Sequence, residues 1–214
     1  LKAGENTLHQ DVLDRDWPAD WHVADIGASR GALSALLAEK VAHVTSVDRE
    51  RPSNAGRAEA LALDLDGDFD TELGHARYDC VVMLDVIEHL RNPEESARRI
   101  ASVLKPGGTL YASTGNIAYI VLRTSLLLGQ FNYGKRGILD LTHTRLFTVY
   151  SFKKLLSNSG FVIKEVKGFG PPIRDMVGAS AKLRAVDTTS GALARAWPRM
   201  FAFNFLVVAQ KADE

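Results

Sequence analysis

The chain has 214 residues, of which 46% are hydrophobic and 24% charged, proportions that are ordinary for a globular domain with one large core. Its 26 basic and 26 acidic side chains balance, which excludes the strong overall field of a nucleic-acid-binding protein. One cysteine, no signal peptide and no apolar run of about 20 residues exclude a disulfide framework and predict a cytoplasmic protein without stable membrane insertion.

The predicted elements alternate along the chain. An N-terminal helix is expected over residues 5–15. Strands are then predicted at 22–26, 43–48, 59–64, 79–84, 108–114, 161–166 and 203–210. Helices are predicted near 31–39, 71–76, 93–104 and 148–158, with a short or missing helix at 49–57. Such alternation predicts an α/β fold with a mostly parallel sheet, wound on both faces, that binds its ligand at the carboxyl ends of the strands.

We predict a single domain over residues 1–214, in which residues 1–20 form a helical cap. Two segments, 117–145 and 170–199, exceed what the sheet needs and are expected to form a lid or a substrate wall. The apolar helix within the first segment leaves membrane contact or a homodimer as alternatives to the lid. The chain begins at Leu1, so we also expect it to be part of a longer polypeptide.

The most informative motif joins the first strand to the first helix. The apolar run 22–26 breaks into Gly27-Ala28-Ser29-Arg30-Gly31, and helical spacing then resumes. A sharp turn through glycines brings bare backbone N–H groups and a helix N-terminus against a ligand. The next apolar run ends at Asp48, at about the 20-residue separation typical of a carboxylate that binds ribose hydroxyls. These features predict a nucleoside-cofactor site.

The glycine pattern distinguishes among nucleoside cofactors. A dinucleotide fingerprint needs glycines at positions 27, 29 and 32, but the chain has Ser29 and Ala32, and no Gly-Lys-Ser/Thr follows to make a phosphate loop. Both readings are therefore disfavoured. Because Ser29 has a Cβ atom, we expect it to avoid positive φ and to shift the loop slightly.

These motifs together resemble those of the class I S-adenosylmethionine-dependent methyltransferases. Val23–Gly31 is similar to the family's first motif, hydrophobic-x-Asp-hydrophobic-Gly-x-Gly-x-Gly, with Ser29 in place of the middle glycine. Tyr78–Leu90 resembles the fourth motif and Leu104–Leu110 the turn into the fifth strand. Residues 146–161 resemble ubiquinone-type and sugar-modifying O-methyltransferases. The resemblance implies a Rossmann-like, seven-stranded sheet with an antiparallel last strand and helical insertions over the site.

The cofactor that the resemblance implies is S-adenosyl-L-methionine, with S-adenosyl-L-homocysteine as product. It implies that Asp48 binds the ribose diol and that Asp64 lies beside the adenine, although an exposed turn acid is the alternative for each. Asp25 is expected to be buried and to organise the loop through the amides of the glycine turn. The residues expected to bind the cofactor are Asp25, Gly27, Ala28, Ser29, Gly31, Asp48, Asp64, Leu65 and Leu84.

Three residues are candidates for catalysis: His143, His89 and Asp85. A histidine with an ordinary pKa of about 6.5 suits removal of a hydroxyl proton, although a histidine bonded to a loop carbonyl is the alternative. Asp85 belongs to an Asp-x-x-Glu-His cluster, and similar runs in ubiquinone-type enzymes are associated with a divalent ion. The ordinary role of such a cluster is to cap a helix and to pack within it, and we predict no metal ligand here. A divalent metal is kept as the alternative.

The predicted activity is transfer of a methyl group from the cofactor to a hydroxyl of a small metabolite or sugar. The expected partner is that small-molecule acceptor, with no nucleic acid. Two alternatives stay open at this point: an N-methyltransferase on the same fold, and a cofactor-binding partner subunit without chemistry.

Overall fold

The computed structural model describes residues 7–172 and 181–212, with only the backbone described for 181–187. Its sheet has seven strands in the order β3-β2-β1-β4-β5-β7-β6. The strands are β1 His22–Ile26, β2 His43–Asp48, β3 Glu59–Ala62, β4 Tyr78–Leu84, β5 Leu104–Gly115, β6 Phe161–Phe169 and β7 Asn204–Lys211. β1 to β5 are mutually parallel, and β7 runs antiparallel between β5 and β6. The predicted α/β sheet with an antiparallel last strand is confirmed.

Helices cover both faces of this sheet. They are α1 Leu8–Leu13, α2 Ala32–Ala38, α3 Phe69–Leu73, α4 Pro93–Val103, α5 Ile120–Leu127, α6 Val149–Asn158, α7 Ala181–Ala196 and α8 Pro198–Phe201, with a 3₁₀ turn at Ile87–His89. The connection between β2 and β3 has no helix. Residues 1–6 of the predicted cap and 173–180 of the second predicted insertion lie outside the described residues.

Local sequence signals set the ends of these helices. The Asn92 side chain accepts a hydrogen bond from the Glu95 backbone N–H at 3.3 Å, and Pro93 occupies the first turn of α4. Thr148 and Ser151 form a reciprocal capping box at the start of α6. The predicted helix at 71–76 is displaced to α3, because Gly74 takes φ +84° and ends it.

The expected turn at Lys105–Gly108 is wrong in its boundaries, because these residues lie within β5. Tyr78 pairs with Leu104 while Cys80 pairs with Thr109. Between these two pairs β5 therefore advances by five residues and β4 by two. Gly107, at φ +70°, lets the strand bulge and continue. The turn signal therefore marks an irregularity inside the strand.

The sheet separates two apolar layers. Phe152, Phe205 and Ile100 belong to the cluster under α4 and α6, and Val12 and Leu37 to the cluster under α1 and α2. With both faces covered, the carboxyl edge of the parallel strands is left for a ligand.

Candidate cofactor and active site

The turn after β1 is hydrogen-bonded to the neighbouring strand and packed closely against Val86 and Ala55. Gly27 and Ala28 both donate their N–H groups to the carbonyl of Val47, at 2.8 and 2.9 Å. Gly27 has φ +76°, and a Cβ atom there would collide with the Val86 side chain. Gly31 has φ +86°, and a Cβ atom there would lie 2.8 Å from Ala55 Cα. Both positions therefore require glycine.

Ser29 also takes a left-handed conformation, at φ +53°. The expectation that its Cβ atom would keep it from positive φ is wrong. Its backbone N–H donates to Asp48 Oδ2 at 2.7 Å, and a hydrogen bond to a charged acceptor of this kind offsets part of the conformational cost. The turn thus reaches a left-handed conformation at position 29 without a glycine.

Asp48, the last residue of β2, is oriented by two backbone donors. Its Oδ2 accepts from Ser29 and its Oδ1 accepts from the Arg49 N–H, also at 2.7 Å. Each carboxylate oxygen has two acceptor positions, so one remains on each for a ligand. The side chain is half-buried and lies on the wall of a cavity of about 580 Å³.

The cavity brings together many of the predicted site residues. Those on its wall are Gly27, Ser29, Asp48, Asp64, Leu65, Asp85 and His89. The predicted residues that do not line it are Asp25, Ala28, Gly31, Leu84 and His143. The described geometry thus joins the glycine turn, the end of β2 and the end of β4 in one space.

Asp25 is buried within β1, and its partner differs from the expected one. Ser34 of α2 donates its hydroxyl to Asp25 Oδ2 at 2.5 Å and contacts the Ser46 hydroxyl of β2 at 2.6 Å. The expected amides of the glycine turn are therefore not its partners. Burial raises the pKa of Asp25 to about 6, against the opposing effect of the Ser34 hydrogen bonds. This network joins β1, α2 and β2 beneath the turn.

Asp64 and Leu65 follow β3 and form the opposite wall. Asp64 is exposed and accepts the Asp66 N–H at 3.1 Å, whereas Leu65 is buried. Asp66 in turn accepts the Arg91 N–H at 2.8 Å. The acidic loop is thus held through Asp66 against the segment that follows β4, while the Asp64 side chain itself stays exposed.

Asp85 occupies the carboxyl end of β4 in a strained conformation, with φ +55°. The Ser113 hydroxyl donates to its Oδ1 at 2.9 Å, and the Asn204 amide donates to Oδ1 and Oδ2 at 3.1 and 3.3 Å. Sequence reasoning missed both partners. Asn204 is a polar residue at the start of an apolar strand, which could have indicated a role in the site. It lies 119 positions from Asp85, so nothing in the sequence pairs the two.

Glu88 is a second carboxyl group behind Asp85 that was not singled out as a site residue. It is buried, and its Oε2 has no hydrogen-bond partner among the described residues. Burial, together with the nearby negative charge of Asp85, raises the pKa of Glu88 to about 8. Near neutral pH this carboxyl group therefore keeps its proton while exposed carboxyl groups have lost theirs.

His89 and His143 form a perpendicular pair with ring centroids 4.7 Å apart. His143 Nδ1 lies 2.9 Å from the Ile138 carbonyl and His89 Nδ1 lies 3.3 Å from the Thr142 carbonyl. A carbonyl only accepts, so Nδ1 carries the hydrogen of His143 and leaves Nε2 as the basic atom when the ring is neutral. Burial lowers the pKa of His143 and favours that neutral form.

Metal binding at the Asp-x-x-Glu-His cluster finds no geometric support. Within residues 7–172 and 181–212, no three His, Cys, Asp or Glu side chains converge as a metal site would require.

Comparison with known proteins gives a consistent family. A family model described as a methyltransferase domain matches residues 10–166. A ubiquinone biosynthesis O-methyltransferase from Aeromonas salmonicida is 33% identical in an alignment of 183 positions that covers 75% of this chain and 74% of that protein. Other bacterial proteins of the same name match over 42% to 53% of their own length.

Solved structures share the fold at lower sequence identity. An S-adenosylmethionine-dependent methyltransferase from Archaeoglobus fulgidus superposes with a TM-score of 0.62 at 19% identity, covering 90% of this chain and 86% of that one. The 1,6-didemethyltoxoflavin-N1-methyltransferase of Burkholderia thailandensis, solved with S-adenosylhomocysteine, gives 0.59 at 19% identity, over 96% and 75% of the two chains.

Proposed function

Because the chain belongs to the class I S-adenosylmethionine-dependent methyltransferases, we propose that it methylates a hydroxyl group of a small-molecule acceptor at the cavity above the Gly27 turn. The single observation that carries this proposal is the Asp48 carboxylate. It lies on the cavity wall, is fixed by the Ser29 and Arg49 N–H groups and retains acceptor positions. A vicinal diol suits such a carboxylate, because its two hydroxyls can donate one hydrogen bond to each oxygen.

The residues present fit an adenosyl cofactor. Gly27 and Gly31 allow the turn to pack where a Cβ atom would collide, and the turn 27–32 lacks both the middle glycine of a dinucleotide fingerprint and the Gly-Lys-Ser/Thr of a phosphate loop. In the proposed complex Asp48 accepts from the ribose hydroxyls, and Asp64 accepts from the adenine amino group beside Leu65. When bound, S-adenosylmethionine supplies an electrophilic methyl group on a sulfonium, which is already a good leaving group.

The remaining task of the protein is to align the acceptor, an effect that can contribute about 7–11 kcal/mol to a reaction of this kind. In this proposal Asp85 is a positioning residue, because Ser113 and Asn204 hold its carboxylate at the cavity wall. Glu88 lies behind Asp85, and its burial together with the nearby charge of Asp85 raises its pKa and favours its neutral form.

We assign proton removal to the His89–His143 pair. His89 lines the cavity, and His143 contacts it edge-to-face. Both rings have an Nδ1 atom directed at a backbone carbonyl, which orients each Nε2 atom as an acceptor. A neutral imidazole at this position takes the hydroxyl proton as the acceptor oxygen gains its methyl group.

The O-methyl assignment rests on this histidine pair and on the bacterial relatives, whose names describe O-methyltransferases. The sugar acceptor considered from the sequence has no support among those relatives, so the acceptor that we propose is a hydroxylated small molecule. An N-methyltransferase is the second candidate, favoured by the Burkholderia thailandensis structure, and it would not need the histidines.

Ligand-dependent thermal unfolding tests the cofactor assignment. We expect S-adenosylmethionine and S-adenosylhomocysteine each to raise the melting temperature, since a ligand at 100 times its dissociation constant adds about 2.7 kcal/mol. NAD serves as the control and is expected to change nothing. Stabilisation by NAD alone would overturn the proposal, and stabilisation by the adenosyl ligands without methyl transfer to any hydroxylated acceptor would favour the non-catalytic alternative.

A further inference from the structure

His89 is hydrogen-bonded to a segment that lies far from it in the sequence. Its Nδ1 atom is 3.2 Å from the Thr142 hydroxyl and 3.3 Å from the Thr142 carbonyl, which is 53 positions away. The Thr142 hydroxyl donates to Asp140 Oδ1 at 2.7 Å, and the Thr142 N–H donates to the same oxygen at 2.9 Å. Asp140, Thr142 and His89 therefore form one chain of hydrogen bonds, which ends at the cavity that His89 lines.

The hydrogen atoms of this chain follow from its donors and acceptors. An ionised Asp140 only accepts, so the single hydrogen of the Thr142 hydroxyl is directed at its carboxylate. The hydroxyl and the carbonyl of Thr142 then offer His89 only lone pairs, and Nδ1 carries the ring hydrogen. The neutral ring thus keeps the lone pair of Nε2 free, as removal of a proton requires.

Asp140 supplies a negative charge at the far end of the chain. The hydrogen bonds from the Thr142 N–H and hydroxyl lower the pKa of Asp140, so its carboxyl group is ionised near neutral pH. No lysine or arginine forms an ion pair with Asp140 among the residues that the structure describes. The cations that act on it are His143 and His89 in their protonated forms.

The segment that carries Thr142 is bound to the backbone on both sides of His89. The Thr144 N–H and hydroxyl donate to the Glu88 carbonyl at 2.8 and 3.1 Å. The same hydroxyl donates to the Leu90 carbonyl at 2.7 Å. Thr142 is itself exposed, so loss of its hydroxyl leaves this anchor and the apolar layers intact.

We propose that Asp140 and Thr142 are positioning residues for His89, which hold its ring in the Nδ1–H tautomer and stabilise the positive charge that it gains. The role in catalysis rests on the proposed function. When His89 Nε2 takes the hydroxyl proton, the acceptor oxygen bonds the methyl carbon and the carbon–sulfur electron pair stays on sulfur. One positive charge thus passes from the sulfonium to the ring, where the Nδ1–H bond to Thr142 becomes charge-assisted.

The tautomer is measured by ¹⁵N NMR of the imidazole nitrogens, with the signals of His89 assigned by their loss in His89→Gln. This experiment needs neither cofactor nor acceptor, so its failure is separable from failure of the proposed function. We expect the neutral wild-type ring to carry its hydrogen on Nδ1. Thr142→Val, which keeps only the carbonyl as acceptor, should show both tautomers, and Asp140→Asn should stay close to the wild type. A wild-type ring with its hydrogen on Nε2 would overturn the proposal.

The charge stabilisation is measured by the reaction of His89 with diethyl pyrocarbonate, followed by peptide mass spectrometry. In this reaction Nε2 attacks an electrophile and the ring becomes positive, as it does when it takes a proton. His75, an exposed histidine after α3, is the internal reference. Thr142→Val and Asp140→Asn should each slow the modification of His89 by about 10-fold, the effect of one hydrogen bond to a charged group. Thr142→Ser keeps the hydroxyl and should restore most of the rate.

Two further variants distinguish the chain from a turn that only supports the fold. Because Thr142 and Asp140 act in series, Thr142→Val/Asp140→Asn should be no slower than the slower single variant. Asp20→Asn changes an exposed acid at the amino end of β1, opposite the cavity, and should react like the wild type. Unchanged reactivity in both single variants, losses that multiply in the double variant, or an equal loss in Asp20→Asn would each overturn the proposal.

Discussion

Two glycines with nearly the same backbone conformation show how differently the two sides of the site are built. Gly27, in the turn after β1, has φ +76°, and Gly129, after α5, has φ +73°. An added Cβ atom would collide with Val86 at the first position and meet nothing within 4 Å at the second. The proposed cofactor side is fixed by packing, whereas α5 and the residues after it leave their apolar side chains exposed.

The His89–His143 pair lies between these two sides of the site. Its removal is expected to have the largest effect on the rate of methyl transfer. His143→Ala should lower kcat by about 100-fold or more, the usual contribution of a general base, and change the affinity for S-adenosylhomocysteine little. His89→Ala should do the same. Steady-state kinetics with titration calorimetry separates the two quantities.

The double variant supplies the control for this interpretation. If the rings act as one unit, His89→Ala/His143→Ala should be no slower than the slower single variant. Multiplying losses would mean that the rings act independently, and unchanged turnover in both single variants would exclude the pair as base and favour N-methylation.

The glycine comparison gives the next largest effect. Gly129→Ala should destabilise the protein by about 1–2 kcal/mol, the cost of a left-handed conformation for a residue with a Cβ atom. Gly27→Ala should lower the free energy of unfolding by about 1–3 kcal/mol more than Gly129→Ala, because the new methyl group also collides with the Val86 side chain. Denaturant unfolding measures both, and adding Val86→Ala should recover part of the second loss. Equal losses for the two variants would contradict the packing argument.

The buried carboxyl group predicts an effect on stability that depends on pH. The pKa of Glu88 is raised from 4.5 to about 8, so the unfolded chain releases this proton at lower pH than the folded one. Its contribution to stability is present below about pH 4.5 and is lost as the pH rises through 8. Glu88→Gln, which cannot ionise, should gain stability relative to the wild type between pH 5 and pH 9. A constant difference across that range would show that Glu88 ionises normally.

The sheet could be predicted from sequence because its signals are local. The apolar run at 22–26 and its end at Gly27 sit where the structure places β1, and Asp48 ends β2 as expected. Pro106-Gly107-Gly108 was interpreted as a turn before β5, but these residues form a bulge within it. Proline and glycine are typical of both structures, and only the pairing with β4 distinguishes them.

The site was harder to predict where it depends on distant neighbours. The partner of Asp25 is Ser34 on the next helix, and Asn204 reaches Asp85 only because β7 inserts beside β5. Ser29 takes positive φ with its N–H donating to Asp48. The conformational preference of serine alone does not predict this contact with a residue 19 positions away. The exposure of Leu127 likewise follows from what the fold leaves uncovered.

The most direct test of the central claim is calorimetric titration of S-adenosylhomocysteine into the wild type and Asp48→Asn. We expect one site per chain, and about 10- to 100-fold weaker binding in the variant, because a charge-assisted hydrogen bond contributes about 1.5–3 kcal/mol. Glu72→Gln, an exposed acid on α3, is the matched control and should bind like the wild type. Equal affinity in Asp48→Asn and the wild type would contradict the account.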